Sequence, residues 1–355
     1  MRLARRMSRL GTEGAFQVLV KARALEAQGR EIIHLQIGEP DFPTPANIVE
    51  AGVRALREGK TKYTPSAGIP ELREAIARHV SATRGVPVTP EMVIVTPGAK
   101  PIMFFSILAL VEPGDEVLYP APGFPIYESM INFCGGTPVP YILREENLFR
   151  FDPDEFRAKT NDQTKLIILN SPQNPTGGVL EAADLQVVAA AAQKHNAWVL
   201  SDEIYRRVLY EGEFSSVLSV PGMLEPTILL DGFSKTYAMT GWRLGWGVMP
   251  PALAPHIERL QTNANSCVAG FVQAAGVEAL TGPQDAVSQM VAAFKTRRDV
   301  IVDGLNQIPG FKCHKTRGAF YAFPNITGTG WDSRKLADYL LNEAGVACLS
   351  GTAFG

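Results

Sequence analysis

The chain has 355 residues, more than one hydrophobic core ordinarily serves, and its balance of 46% hydrophobic and 20% charged residues is that of a folded protein with two domains. With 34 basic and 36 acidic residues the net charge is −2, which gives a nucleic acid or an anionic membrane no electrostatic handle. The longest strongly apolar run, around Met103–Val111, stops at Glu112 and is too short to span a bilayer.

At the N-terminus Arg2, Arg5, Arg6 and Arg9 precede no apolar stretch, so a secretory signal is not expected. Residues 12–30 read as an amphipathic helix ending near Gly29. The prolines of Gly38-Glu39-Pro40-Asp41-Phe42-Pro43-Thr44-Pro45 forbid a helix and fix a loop. A helical pattern returns over 70–84. From about 92, short apolar strands alternate with helices. Strands are predicted at Met92–Thr96, Glu116–Tyr119, Lys165–Leu169, Trp198–Ser201 and Thr227–Leu230, and helices at 99–111, 123–134 and 181–195. Apolar runs without alternation suit strands buried on both faces, and alternation with helices suits an α/β, doubly wound, mostly parallel sheet.

After Pro250-Pro251 the texture changes. Residues 252–308 read as mostly helical, with a long helix over 253–280. A strand pair around Phe311–Phe323 and a helix near 333–344 follow. The division expected is a large domain over 45–255 and a smaller α+β domain made of 1–44 plus 256–355. Cys134, Cys267, Cys313 and Cys348 are scattered, and the five histidines share no cluster. Neither a metal site nor a disulfide framework is expected, and a reducing cytoplasm is the expected location.

In such sheets ligands bind beyond the carboxyl ends of the strands, so the residues there carry the functional reading. Small residues in Thr96-Pro97-Gly98-Ala99-Lys100 let backbone N–H groups approach an anion at a helix N-terminus. Phe124, in Pro122-Gly123-Phe124-Pro125, offers an aromatic face, although the string alone favours a buried core phenylalanine. Asn174 sits at the tip of Asn170-Ser171-Pro172-Gln173-Asn174-Pro175-Thr176-Gly177-Gly178, a tightly specified loop open to cis X-Pro bonds. Asp202 ends an apolar strand, where a lone carboxylate needs a cation or a helix to cap. Tyr205 lies one turn further on. In Asp231-Gly232-Phe233-Ser234-Lys235, a lysine follows an apolar strand among small residues, and Arg243 stands eight positions later. A lysine withdrawn from water has a lowered pKa and attacks aldehydes.

Taken together, these strings resemble the class I/II aminotransferases of pyridoxal-5′-phosphate (PLP) fold type I, closest to the bacterial aspartate aminotransferase-like branch. The resemblance runs from Gly38-Glu39-Pro40-Asp41-Phe42 to Gly351-Thr352-Ala353-Phe354-Gly355. Its most specific parts are the Asn-Pro-Thr-Gly string at 174–177 and Ser234-Lys235 followed by Met239, Gly241-Trp242-Arg243 and Gly245.

The resemblance implies a role for each of these residues. Lys235 forms the Schiff base with PLP and moves the substrate proton. Asp202 pairs with the pyridinium nitrogen, while Tyr205 and Asn174 hold the ring's phenolic oxygen and Phe124 stacks on the ring. The phosphate is held by backbone N–H groups of Gly98, Ala99 and Lys100, by Ser234 and by Arg243, whose planar fork suits it. Tyr63 resembles the tyrosine that reaches the phosphate of the other subunit, which implies a homodimer. Gly38 lies against the substrate carboxylate.

The activity implied is amino-group transfer between an amino acid and a 2-oxo acid by a ping-pong route. Lys100, where some relatives carry a small hydroxyl residue, points to aspartate or glutamate. A C–S β-lyase and a non-catalytic PLP-binding module remain the alternatives. The family's pattern continues past the Gly351–Gly355 string into a strand with an arginine for the substrate α-carboxylate, and Arg317 does not match that position. The expectation is therefore either a piece of a longer protein or a truncation that binds PLP and transaminates poorly.

Overall fold

The computed structural model describes residues 2–355. Its centre is an eight-stranded sheet in the order Val93–Thr96, Gly245–Val248, Thr227–Gly232, Trp198–Asp202, Thr164–Asn170, Glu116–Ala121, Thr137–Arg144 and Arg150–Phe151. The four neighbouring pairs from Thr227–Gly232 through to Thr137–Arg144 are parallel. Gly245–Val248 is antiparallel to both of its neighbours, and Arg150–Phe151 closes the far edge antiparallel.

The continuous apolar runs follow from burial on both faces. Ile167 and Leu169 belong to one core cluster, with Leu72, Val188 and Phe233. Leu166 and Ile168, one residue out of phase, belong to a second cluster with Ile102, Met130 and Ile257. Successive side chains of a strand point to opposite faces, so the sheet is covered by helices on both sides.

The predicted strands and the helices Pro70–Arg84, Lys100–Leu110, Ile126–Cys134 and Ala182–His195 form close to their expected limits. Gly85, in the left-handed region at φ 68°, ends Pro70–Arg84 as a C-terminal cap. Two expectations fail. The long helix over 253–280 is two helices, Ala254–Asn265 and Gly270–Thr281, because Ser266 takes φ +62° and stops the first. The strand pair around Phe311–Phe323 does not form. That segment holds only isolated bridges, Leu209 with Gly318 and Lys312 with Asn325. A short parallel pair, Ile33–His34 with Val346–Ala347, joins the two ends of the chain beside a small cluster of Ala22, Leu341 and Ala347.

No helix among the described residues is long and apolar enough to cross a membrane.

Candidate active site

A cavity of about 570 Å³ opens at the carboxyl ends of the parallel strands. It is lined by Gly38, Ala99, Lys100, Phe124, Asn174 and Asp202, and also by Tyr205, Ser234, Lys235 and Arg243. Gly98 adjoins it through Arg243, against whose guanidinium it lies. Tyr63 is the exception: it is 91% exposed and borders a different cavity.

The strand-end loops are tied to each other. The Asn170 side chain accepts from the Asn174 N–H (2.8 Å) and donates to the Asp202 carbonyl (3.1 Å). Gln173 Nε2 donates to the Pro122 carbonyl (2.8 Å), linking the Asn174 loop to the Phe124 loop. The Ala121-Pro122, Ser171-Pro172 and Asn174-Pro175 bonds are cis. Gly98 sits at φ +89°, and a Cβ there would run into the guanidinium of Arg243. Only glycine lets the chain pass this close to that cation.

Asp202 is buried. Its Oδ2 accepts from the Tyr127 hydroxyl at 2.7 Å and its Oδ1 from the Ile204 N–H at 3.2 Å. Burial raises its pKa to about 6, against the pull of those two hydrogen bonds. Among the described residues it has no ion-pair partner, although a buried carboxylate ordinarily has one. Lys235 Nζ donates to the Gly38 carbonyl, and burial lowers its pKa to about 8. The Tyr205 hydroxyl contacts the hydroxyl of Tyr321, and burial pushes both phenols up. Arg243 Nη1 donates to the Thr240 carbonyl at 2.7 Å. Phe124 stands edge-on to Tyr127, with ring centroids 5.5 Å apart.

These residues fit PLP on their chemistry. The cavity holds a buried carboxylate without a cation, which suits a protonated pyridine nitrogen. It also holds an amine of lowered pKa, which suits an aldehyde. The Gly98 turn beside Arg243 makes a cationic, N–H-lined cradle, which suits a phosphate.

Sequence reasoning did not reach Tyr127, Tyr321 or Glu13. Tyr127 and Glu13 lie at or beside helix starts, and Tyr321 lies in an irregular segment. Nothing in their local strings marks them. Glu13 pairs with Lys100, and Lys100 Nζ also lies 5.3 Å from the Phe124 ring centroid. Behind the site Arg84 is buried between Glu203 (2.8 Å) and Asp231 (3.1 Å).

The family model described as aminotransferase class I and II matches residues 30–355. Over 92% of this chain and 83% of its own length, an aspartate aminotransferase of Pyrococcus horikoshii is 43% identical. An aspartate/prephenate aminotransferase of Cereibacter sphaeroides is 38% identical over 98% of this chain and 90% of its own. The solved structure of an aspartate aminotransferase from Thermus thermophilus with maleate superposes with a TM-score of 0.95 at 39% identity, covering 100% of this chain and 93% of that one. The chain belongs to the class I and II aminotransferases, PLP-dependent enzymes of fold type I that move an amino group between an amino acid and a 2-oxo acid.

Proposed function

We propose that Lys235 is the lysine of this aminotransferase that bonds the cofactor and carries the proton, and that the acidic amino acids aspartate and glutamate are among its donors. The observation that carries the first reading is the convergence of Lys235, Asp202 and Arg243 on one cavity. When bound there, PLP supplies an electron sink for the charge left on the substrate Cα once its proton is removed. Asp202 holds the ring nitrogen protonated, and Tyr127 fixes its carboxylate. Tyr205 and Asn174 donate to the ring's phenolic oxygen, and Phe124 covers the ring face. The backbone N–H groups of Gly98, Ala99 and Lys100, with Ser234 and Arg243, hold the phosphate. Gly38 supports the substrate carboxylate. With the cofactor in place, Lys235 would take the proton from the substrate Cα and carry it to C4′ of the cofactor. Its lowered pKa leaves a usable fraction of neutral amine near pH 7.

Lys100 in the cavity supports an acidic donor, as do the names of relatives called aspartate aminotransferases. Tyr63, 91% exposed, supports a homodimer in which it reaches the partner's phosphate. The four cysteines are free, which supports a cytoplasmic location. The small apolar cluster of Ala22, Leu341 and Ala347 supports a smaller domain of 1–44 plus 256–355 beside a PLP-binding domain of 45–255.

The test is an absorbance spectrum of the protein with PLP, before and after glutamate or aspartate, for wild type and Lys235→Ala. A visible band in wild type alone, bleached by the amino acid, is expected. An equal band in the variant would remove Lys235 from its role. A band that no amino acid changes would remove the acidic donors.

A further inference from the structure

The cavity has three cations, and two of them, Lys235 and Arg243, face the cofactor's place. Lys100 is the third, and in this structure it is already paired: its ammonium contacts the Glu13 carboxylate. Glu13 immediately precedes the helix Gly14–Glu26, and Glu13, Gly14, Ala15 and Phe16 form one wall of the cavity. A second carboxylate, Glu39, lines the same cavity and accepts from the Thr240 hydroxyl. The same cavity also presents apolar side chains, Phe16, Met103, Leu349 and Phe354.

A distal carboxylate entering this space meets one ammonium and two carboxylates. To bind, it must take Lys100 from Glu13 and lie near a like charge. An uncharged side chain pays neither cost. It rests on those apolar side chains while the pair stays closed.

Given the aminotransferase reading of this cavity, we infer that Glu13 is a specificity-determining residue, competing with the substrate's distal carboxylate for Lys100. The same pocket then serves both halves of a ping-pong reaction. The pair opens for an acidic side chain and stays shut for an uncharged one. Glu13 lowers the advantage that Lys100 alone gives to dicarboxylates and so admits apolar partners on comparable terms. The discrimination lies in how readily one partly exposed ion pair is exchanged, and such pairs are worth little, so both substrate classes remain accessible.

The experiment is calorimetric titration of the PLP-loaded protein with succinate and with 3-phenylpropionate, for wild type, Glu13→Gln and Lys100→Met. Removing the Glu13 charge frees Lys100. Glu13→Gln is expected to tighten succinate by about fivefold, the upper range for an exposed pair, and to leave 3-phenylpropionate within about twofold. Lys100→Met is expected to weaken succinate alone. A succinate to 3-phenylpropionate ratio unchanged in Glu13→Gln, or both acids weakened alike, would overturn the inference and leave the aminotransferase reading intact. Binding of neither acid by the wild type would overturn that reading of the cavity, and the inference with it.

Discussion

The hydroxyl of Tyr127 donates to Oδ2 of Asp202 across 2.7 Å, and both groups are buried. Tyr127 opens the second position of the helix Ile126–Cys134, and Asp202 closes the strand Trp198–Asp202. The bond favours the ionised carboxylate, which burial disfavours. Tyr127→Phe therefore raises the Asp202 pKa of the cofactor-free protein further above about 6 and moves the acid limb of PLP binding to higher pH. The bond is present without the cofactor, so what PLP binding loses is ionised Asp202, and affinity for PLP should fall more at about pH 6 than at about pH 8. An acid limb that stays in place would deny Tyr127 this positioning role.

Asp202 has its pKa raised in the folded protein, to about 6 from 3.8. The folded state thus prefers the protonated acid. The penalty for ionising it is absent below the unfolded value, grows as pH rises between the two, and is complete above about 6. In the cofactor-free protein Asp202→Asn should stabilise more at about pH 7.5 than at about pH 5, as measured by urea unfolding. With PLP present the same change should weaken cofactor binding, because the ring cation loses its counter-ion.

Lys235 is shifted the other way, down to about 8 by burial. The nucleophile is the neutral amine, so its reaction with aldehydes should rise with pH and level off above about 8. Reductive trapping of a small aldehyde on the cofactor-free protein, followed by peptide mass analysis, gives the midpoint. A midpoint near that of solvated lysines would show that Lys235 is not desolvated.

Arg84 is buried against Glu203 and Asp231, and the other oxygen of Glu203 accepts from Ser201 (3.1 Å) and Ser216 (2.5 Å). Arg84→Met leaves two buried carboxylates without their cation. Breaking a buried pair from one side costs about 3–5 kcal/mol, to be read as a lower urea midpoint. The double change Arg84→Met with Glu203→Gln should recover part of that loss.

Gly98→Ala meets two obstacles at once, a φ of +89° and the guanidinium of Arg243. It should weaken PLP phosphate binding and leave the fold intact. The dissociation constant for PLP, compared with that for pyridoxal, isolates the phosphate contribution. An equal loss for both ligands would place the damage elsewhere.

Much of the sheet was legible because its central strands are apolar on both faces. Thr164–Asn170 and Trp198–Asp202 stand out as unbroken runs. Thr137–Arg144 is not among the predicted strands, since Pro138 and Pro140 interrupt its apolar pattern, and Gly245–Val248 lies in a glycine-rich string. The break at Ser266 was invisible, since nothing in Asn265-Ser266-Cys267 signals a left-handed residue. Among the site residues, Lys235, Asp202, Asn174 and Arg243 sit in strings whose order carries information. Tyr127 and Glu13 matter through partners 75 and 87 positions away, a relation that periodicity does not encode.

The strand Gly245–Val248 lies between Val93–Thr96 and Thr227–Gly232, and Gly245 is opposite both Thr96 and Gly232. Val93–Thr96 therefore has no place in the sheet until a segment made some 150 residues later arrives to hold it. The anion cradle at Gly98 and the turn bearing Lys235 and Arg243 come together in that same event. As the chain emerges from the ribosome, its phosphate grip cannot be assembled before Gly245–Val248 has been made. Such distant pairing is slow, because loop closure precedes any contact that rewards it. A cofactor that bridges the two segments should then speed the closing step of folding as well as stabilise the result.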